Sequence, residues 1–361
     1  MTSPDDTLRA ALDSYIDPLI GRGLVAAGAV KSARMEQGNP HVEIELGFPA
    51  EGYAQELAAN IAHHLRQILG DCDVKLRLGW NIQSHAVQKN LKPLPQIKNI
   101  IAVASGKGGV GKSTVAVNFA LALKAEGARV GILDADIYGP SQPRMLGTTA
   151  KPTSPDGRLM NPIVAHGIQA MSIGFLIDEK EPMIWRGPMV TQALAQLINE
   201  TKWQELDYLV VDLPPGTGDV QLSLSQRIPV SGAVIVTTPQ DIALLDARKG
   251  LAMFQKVEVA VLGVVENMST HICSNCGHEE HVFGEGGGAR LAEQYGVELL
   301  GSLPLDIRIR EQADGGAPTV VAAPDSDLAL RFRAIARTAA ARLAYGTAQA
   351  SFPTIRVSED E

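Results

Sequence analysis

The chain has 361 residues, of which 45% are hydrophobic and 20% are charged. This composition is typical of a globular protein with one large domain and one small domain. The formal net charge of −8 disfavours sequence-independent binding of DNA through an extensive basic face. The sequence has no run of 18 apolar residues and begins with polar, acidic residues, so we predict neither a transmembrane helix nor a secretory signal. Three cysteines do not form a disulfide framework, which indicates a cytoplasmic protein with reduced thiols.

Residues 1–80 are predicted to form a small α/β domain. Helices are expected where apolar residues follow a helical spacing, at Thr7–Leu19 and Glu51–Leu69. Strands are expected at Gly28–Met35, His41–Leu46 and Val74–Leu78. The second and third strands alternate apolar and polar residues. Residues 81–98 are polar and include Pro93 and Pro95, so we predict a linker there.

Residues 99–350 are predicted to form a doubly wound α/β domain with a mostly parallel sheet. Short apolar runs have the character of strands buried on both faces, and they are Ile100–Ala104, Val130–Leu133, Tyr208–Val211, Ala233–Thr237 and Ala260–Val265. Helical segments separate them, including Ser113–Glu126 and Met189–Thr201. Ligands of such domains bind at the carboxyl ends of the strands. Residues 351–361 are predicted to be a disordered acidic tail.

A glycine-rich segment between the first strand and the first helix of this domain matches the phosphate-loop pattern G-x-x-x-x-G-K-S. Glycines let the backbone curl so that successive N–H groups point at phosphate oxygens, and the following helix adds positive partial charge. Lys112 is predicted to reach the β- and γ-phosphates of ATP, and Ser113 to bind Mg²⁺. A glycine-rich turn that matches by chance is the alternative. The predicted nucleotide-binding residues are Gly106, Lys107, Gly108, Gly109, Val110, Gly111, Lys112, Ser113 and Thr114.

Carboxylates end two of the predicted strands. Asp212 follows the run Tyr208–Val211 and is the expected second anchor of the Mg²⁺ shell. Asp134 and Asp136 follow the run Val130–Leu133, and either could hold a metal-bound water or orient the attacking water. Strands also end in Asp for reasons of turn formation, but the preceding phosphate loop favours a role in the site.

The phosphate loop carries a second lysine, Lys107, directly after its first glycine. This pattern resembles the deviant Walker A motif of the group that includes MinD, ParA, the nitrogenase iron protein and Mrp. In that group the first lysine reaches across a dimer interface, so the resemblance implies a homodimer with ATP between its subunits and a catalytic role for Lys107 beside Lys112. A cation supplied in this way stabilises charge on the phosphates. The alternative is a solvated lysine that serves its own phosphate.

A cysteine pair, Cys273 and Cys276, lies in a segment with loop character. Two thiolates at this spacing can grip one soft metal centre, but they supply only half of four ligands. Two pairs that meet in a symmetric dimer would complete a four-thiolate site, which fits a bridging [4Fe–4S] cluster and also a [2Fe–2S] cluster. Three alternatives remain open: a zinc site that includes nearby histidines, a redox disulfide, and a cysteine pair without a ligand. The nearby histidines are His271, His278 and His281.

The third cysteine, Cys72, is expected to be a partly buried small side chain.

The order of these motifs is similar to that of the Mrp/ApbC family of ATP-dependent iron–sulfur cluster carriers. After the small domain and the phosphate loop come Asp212–Asp219, with the sequence DLPPGTGD, then Glu266–Ser269, with the sequence ENMS, and the cysteine pair. The resemblance implies that Gly216 offers its N–H to the γ-phosphate and that Asn267 recognises adenine. It also implies that Asp136 orients the hydrolytic water and that Asp134 lies near Mg²⁺. A turn-forming side chain after a strand is the alternative for Asn267.

Three functions are compatible with these motifs. The first is an ATPase that holds a bridging iron–sulfur cluster in a homodimer and transfers it to apoproteins, without nucleic acid or stable membrane association. The second is a MinD/ParA-like positioning ATPase, which the cysteine pair and the N-terminal domain disfavour. The third is an ATP-driven electron donor similar to the nitrogenase iron protein, in which the cluster cysteines are far apart. The amphipathic run 328–345 is predicted to pack on the sheet rather than on a membrane.

Overall fold

The computed structural model describes residues 3–89, 91–155, 157–177, 187–273 and 275–346. It confirms the predicted fold class, because a mostly parallel sheet flanked by helices follows a small α/β unit. The predicted tail, 351–361, lies outside the described residues. Among the described helices, none combines the length and the apolar character that a membrane span requires.

The N-terminal unit contains a three-stranded sheet in the order β1-β2-β3. Its elements are α1 (Pro4–Ser14), β1 (Val30–Glu36), β2 (Asn39–Leu46), α2 (Ala54–Leu69) and β3 (Lys75–Trp80). Ser3 caps α1 by accepting a hydrogen bond from the N–H of Asp6, and Pro4 occupies the first turn, where its missing N–H costs nothing. The first helix therefore begins at Pro4, three residues earlier than predicted. It ends at Ser14, five residues before the predicted end.

The main sheet has eight strands in the described residues, in the order β13-β10-β9-β4-β8-β5-β7-β6. Only the edge strand β6 is antiparallel to its neighbour. The strands are β4 (Ile97–Ala104), β5 (Val130–Asp134), β6 (Ile163–Ala165), β7 (Ile168–Ser172), β8 (Leu206–Asp212), β9 (Gly232–Thr237), β10 (Val261–Glu266) and β13 (Leu299–Ser302). A separate ribbon pairs β11 (His271–Ile272) with β12 (Glu279–Glu280).

Helices cover both faces of this sheet. They are α3 (Lys112–Ala125), α4 (Gln142–Met145), α5 (Gly187–Asn199), α6 (Asp219–Ser225), α7 (Asp241–Lys256), α8 (Gly287–Tyr295), α9 (Ile307–Asp314), α10 (Thr319–Ala322) and α11 (Asp327–Tyr345). Successive residues of a strand point to opposite faces, so Ile101 and Val103 pack in the core with α3 and α11, whereas Ile100 and Ala102 pack in the core with α5 and α7. Helix α11 buries its apolar face in the first core, as the sequence predicted.

The N-terminal unit packs on the face covered by α3 and α11, because its apolar residues belong to the same core as theirs. Glu126, just after the last turn of α3, forms polar contacts between the N-terminal unit and the main domain. Its carboxylate accepts hydrogen bonds from Arg333 Nε at 2.8 Å and from the N–H of Gly52 at 3.0 Å. The segment 81–96 is also attached to the main domain, since the side chain of Gln88 bonds to backbone groups of Ser225 and Val230.

Candidate functional site

The phosphate loop occupies the carboxyl end of β4 and leads directly into α3. Gly109 and Gly111 have φ angles of +83° and +80°, a backbone conformation that side chains disfavour. A Cβ atom at Gly111 would lie only 2.3 Å from Asn267 Nδ2, so this glycine is also required for space. Helix α3 has 14 residues, and its N–H groups at Lys112 and Ser113 open the helix, as a phosphate site requires.

Lys112 is buried against two carboxylates at the start of α3. Its side chain is 6% exposed, and it pairs with the fully buried Asp212 at the end of β8. The Nζ atom lies 3.8 Å from Asp136 Oδ2 and 3.1 Å from Ser113 Oγ. The structure therefore places three of the predicted residues around the ammonium group of Lys112, which offsets part of the negative charge at this edge of the sheet.

Asp134 is the most constrained carboxylate of the site. Its Oδ2 accepts hydrogen bonds from the N–H groups of Ser141 and Gln142, both at 3.1 Å, and from Ser172 Oγ at 3.0 Å. Complete burial raises the pKa of Asp134 to about 7, and the nearby Asp212 carboxylate adds to the rise. The hydrogen bonds oppose this effect because they favour the charged form. Asp134 is thus held in one orientation by three hydrogen bonds, and its burial makes the charged form costly.

Asp136 lies closer to solvent than its two neighbours, with 13% of its side chain exposed. Burial raises its pKa, whereas Lys112 lowers it. Beside it is a cavity of about 260 Å³, whose walls include Tyr138, Pro214 and Gly218. Asp136 therefore borders a cavity on the side of the loop that follows β8.

Gly216, in the loop that follows β8, contacts Ser105, the residue directly before the phosphate loop. Gly216 has a φ angle of +100°, and its N–H donates to the carbonyl of Ser105 at 3.0 Å. To contact a γ-phosphate as predicted, the N–H of Gly216 has to give up its hydrogen bond to Ser105.

Lys107 is exposed and has no ion pair within the described ranges. Its ammonium group is therefore available to groups outside its own loop.

Asn267 contacts the phosphate loop directly. It lies just after β10, and its Nδ2 donates to the carbonyl of Val110 at 2.9 Å. The next residue, Met268, has a φ angle of +57°. The side chain therefore does more than form a turn; its recognition of adenine stays a prediction.

The cysteine pair lies at the tip of the β11–β12 ribbon. The N–H of Cys273 donates to the carbonyl of His278 at 2.9 Å, and the N–H of Gly277 donates to the carbonyl of Cys273 at 2.8 Å, which closes a tight turn. Cys276 is exposed and Cys273 is half-buried. Hydrogen bonds from the N–H groups of Cys276 and Asn275 lower the pKa of Cys273. This turn favours the thiolate form, which is the form that binds metal.

Two of the histidines near the ribbon are turned toward the protein body. The Nδ1 atoms of His271 and His281 bond to the carbonyls of Leu305 and Ser269, at 3.2 Å and 3.1 Å. Among the described residues, no group of three His, Cys, Asp or Glu side chains is arranged to hold a metal ion. The arrangement disfavours a zinc site of two cysteines and two histidines within one chain and leaves two thiols that need further ligands.

Two residues of the site were missed by the sequence analysis. Gln142 is buried at the start of α4, and its Nε2 donates to Asp212 Oδ2 at 2.9 Å and to the carbonyl of Ser113 at 3.1 Å. Ser172 ends β7, the strand beside β5, and supports Asp134. Strand order would have revealed Ser172, because neighbouring parallel strands end at the same edge of the sheet. No sequence pattern marks Gln142.

Comparisons with known proteins agree with this geometry. Residues 96–340 match the family model described as NUBPL iron-transfer P-loop NTPase, and residues 5–76 match the iron–sulfur cluster assembly protein family. An iron–sulfur cluster carrier protein of Salmonella typhimurium is 52% identical over 94% of this chain and 93% of its own length. The mouse iron–sulfur cluster transfer protein NUBPL is 50% identical over 77% of this chain and 88% of its own. An ADP complex of a nucleotide-binding protein from Archaeoglobus fulgidus superposes with a TM-score of 0.55 at 38% identity, covering 64% of this chain and 91% of that one.

Proposed function

Because this chain belongs to the NUBPL iron-transfer P-loop NTPase family, we propose that it is an ATP-hydrolysing carrier that holds an iron–sulfur cluster and transfers it to apoproteins. The cysteine ribbon carries this proposal. It presents two thiols at the protein surface, lowers the pKa of one of them, and follows directly from a segment that contacts the phosphate loop. Only a few residues separate Asn267, which contacts the phosphate loop, from the two cysteines. The cluster site and the nucleotide site can therefore influence each other.

The nucleotide site supplies the groups that ATP hydrolysis requires. The phosphate-loop N–H groups and Lys112 would bind the phosphates, and Ser113 with Asp212 would hold Mg²⁺, which neutralises phosphate charge when bound. Asp134 would orient the water shell of the metal, since it is fully buried and its carboxylate is near that of Asp212. Asp136, the most exposed of the carboxylates, would orient the attacking water.

The remaining roles depend on a second copy of the chain. Lys107, exposed at the tip of the phosphate loop, would reach the nucleotide of the partner in a homodimer. Two cysteine ribbons would then supply the four thiolates of a bridging cluster, of which the [4Fe–4S] type is the best match to four cysteine ligands. Residues 1–80, which pack on the ATPase domain, would serve as the docking surface for the apoprotein clients. The segment 81–96 joins them to the ATPase domain, whose first strand begins at Ile97.

Neither a membrane nor nucleic acid is part of this proposal. The apolar face of α11 is buried in the core, so the last helix has little surface to offer a membrane. A positioning ATPase would also have no use for two paired thiols on a surface ribbon, whereas a cluster carrier requires them.

Anaerobic reconstitution with iron and sulfide tests this function. We expect the wild-type protein to bind about four iron atoms per dimer, and the Cys273→Ala/Cys276→Ala variant to bind none while it still binds ATP. Cys72→Ala is the matched control, because Cys72 lies in the N-terminal unit, and it should bind iron as the wild type does. Retention of stoichiometric iron and sulfide by the double variant, or full loading of a monomer, contradicts the proposal.

A further inference from the structure

The segment Asn267–Thr270 is the physical connection between the phosphate loop and the cysteine ribbon. We propose that Asn267 is a positioning residue that transmits the nucleotide state of the phosphate loop to Cys273 and Cys276. This inference rests on the proposed function for its purpose, but it concerns a mechanical link that exists in the protein without cargo.

The connection begins with a close, buried contact between Asn267 and the phosphate loop. Asn267 Nδ2 donates to the Val110 carbonyl at 2.9 Å, and Asn267 is only 8% exposed. The same nitrogen lies only 2.3 Å from the position that a Cβ atom on Gly111 would occupy. Phosphate binding by a glycine-rich loop fixes the orientation of its peptide groups, so a change at Val110 or Gly111 must move the Asn267 side chain or break its hydrogen bond.

The segment after Asn267 is held firmly enough to pass on such a movement. Met268 has a φ angle of +57°, which a side-chain-bearing residue adopts only where its surroundings require it. The N–H of Ser269 donates to the carbonyl of Leu303, and the N–H of Leu305 donates to the carbonyl of Thr270. The segment is thus fastened to a neighbouring chain segment immediately before the ribbon begins.

Both ends of the ribbon are attached to this fastened segment. His271, in β11, bonds through Nδ1 to the carbonyl of Leu305. His281, just after β12, bonds through Nδ1 to the carbonyl of Ser269. A displacement of the segment therefore moves the whole ribbon, and with it the spacing or orientation of the two thiols relative to a partner. Without these contacts, the ribbon would be a solvent-exposed hairpin that is independent of the nucleotide.

Hydrogen–deuterium exchange on the cargo-free protein tests the link. We expect saturating Mg-ADP to slow amide exchange at ribbon residues 271–273 and 275–282 of the wild type by about fivefold or more, the lower range of measured couplings between sites. In Asn267→Ala this slowing should be lost, although phosphate-loop amides at 106–113 still become protected at saturating nucleotide. Asn199→Ala is the matched control, because it also removes one side-chain bond to a backbone carbonyl, that of Ala195, but far from the phosphate loop.

A second variant keeps the test decisive if Asn267→Ala unfolds. Asn267→Asp has nearly the same shape and replaces the donor by an acceptor that repels the Val110 carbonyl, so it should also uncouple the ribbon. A ribbon response that persists in both variants, or that is absent from the wild type, overturns the inference. Neither result affects the iron-binding experiment, which fails only if the cysteines do not hold the cluster.

Discussion

Lys112 and Asp212 form a buried ion pair between the start of α3 and the end of β8. The lysine that is expected to bind phosphate is therefore also the counter-charge of a fully buried carboxylate. Isolated charges are costly to bury, and breaking a buried pair by removing one partner leaves the other uncompensated. Residues that we propose bind nucleotide consequently contribute to the stability of the nucleotide-free fold.

Lys112→Met should lose ATP turnover and also destabilise the nucleotide-free protein by about 3–5 kcal/mol, because Asp212 stays buried without its counter-charge. The double variant Lys112→Met/Asp212→Asn should regain much of this stability without regaining turnover. Urea unfolding and phosphate release measure the two effects separately. If the single variant is as stable as the wild type, the pair contributes nothing to the fold.

The raised pKa of Asp134 predicts an unusual dependence of stability on pH. Burial raises this pKa from its ordinary value to about 7, so between pH 4 and pH 7 the folded protein binds a proton that the unfolded chain does not. Stability without nucleotide or metal should therefore fall as the pH rises through this window, by on the order of a few kcal/mol. Asp136, whose pKa is also raised, contributes with the same sign.

Chemical denaturation of the metal-free protein at pH 5, 6 and 7 measures this effect. Asp134→Asn should flatten the dependence, because it removes the titrating group. The comparison with wild type is essential, since Asp207, whose pKa is lowered, gives a slope of opposite sign below pH 4. Equal pH dependence of the two proteins would show that Asp134 is not the group responsible.

The sequence predicts the backbone of the site better than its side-chain partners. Strands such as β4 and β8 are recognised because buried parallel strands are continuous apolar runs, and the phosphate loop because its glycines obey local conformational rules. Short edge strands such as β6, which has three residues, are too short for such a run to be distinctive. The contacts of Gln142 with Asp212 and Ser113 depend on how α4 packs across the sheet, and the contact of Asn267 with Val110 joins residues 157 positions apart. Long-range packing of this kind leaves no periodic pattern in a sequence.

Gln142 should tune the affinity of the site for Mg²⁺. Its amide fixes Asp212 Oδ2 and the backbone of Ser113, and loss of a group that orients metal ligands typically weakens metal binding by about 10–100-fold. Gln142→Leu should therefore raise the Mg²⁺ concentration that gives half-maximal ATP turnover by about tenfold or more. A Mg²⁺ titration at saturating ATP measures this value.

The matched control for this experiment is Gln169→Leu. Gln169 also bonds to backbone groups, those of Gln204, but it lies on β7 away from the phosphate loop. It should leave the Mg²⁺ requirement unchanged. An unchanged requirement in Gln142→Leu as well would show that Asp212 and Ser113 are oriented without this amide.

Glu126 should control the docking of the N-terminal unit on the ATPase domain. The residue is fully buried and joins Arg333 and Arg337 of α11 to the N–H of Gly52. Glu126→Ala leaves both arginines without their carboxylate, so we expect a loss of about 3–5 kcal/mol in stability. We also expect faster proteolysis within residues 81–89, because this segment is largely exposed and undocking of the unit leaves it anchored only at its ATPase-domain end.

Glu205→Ala is the control: Glu205 pairs with Arg129 but is 76% exposed, so its loss should cost at most about 1 kcal/mol. Cleavage at the same rate in both variants would mean that apolar packing alone holds the two parts together.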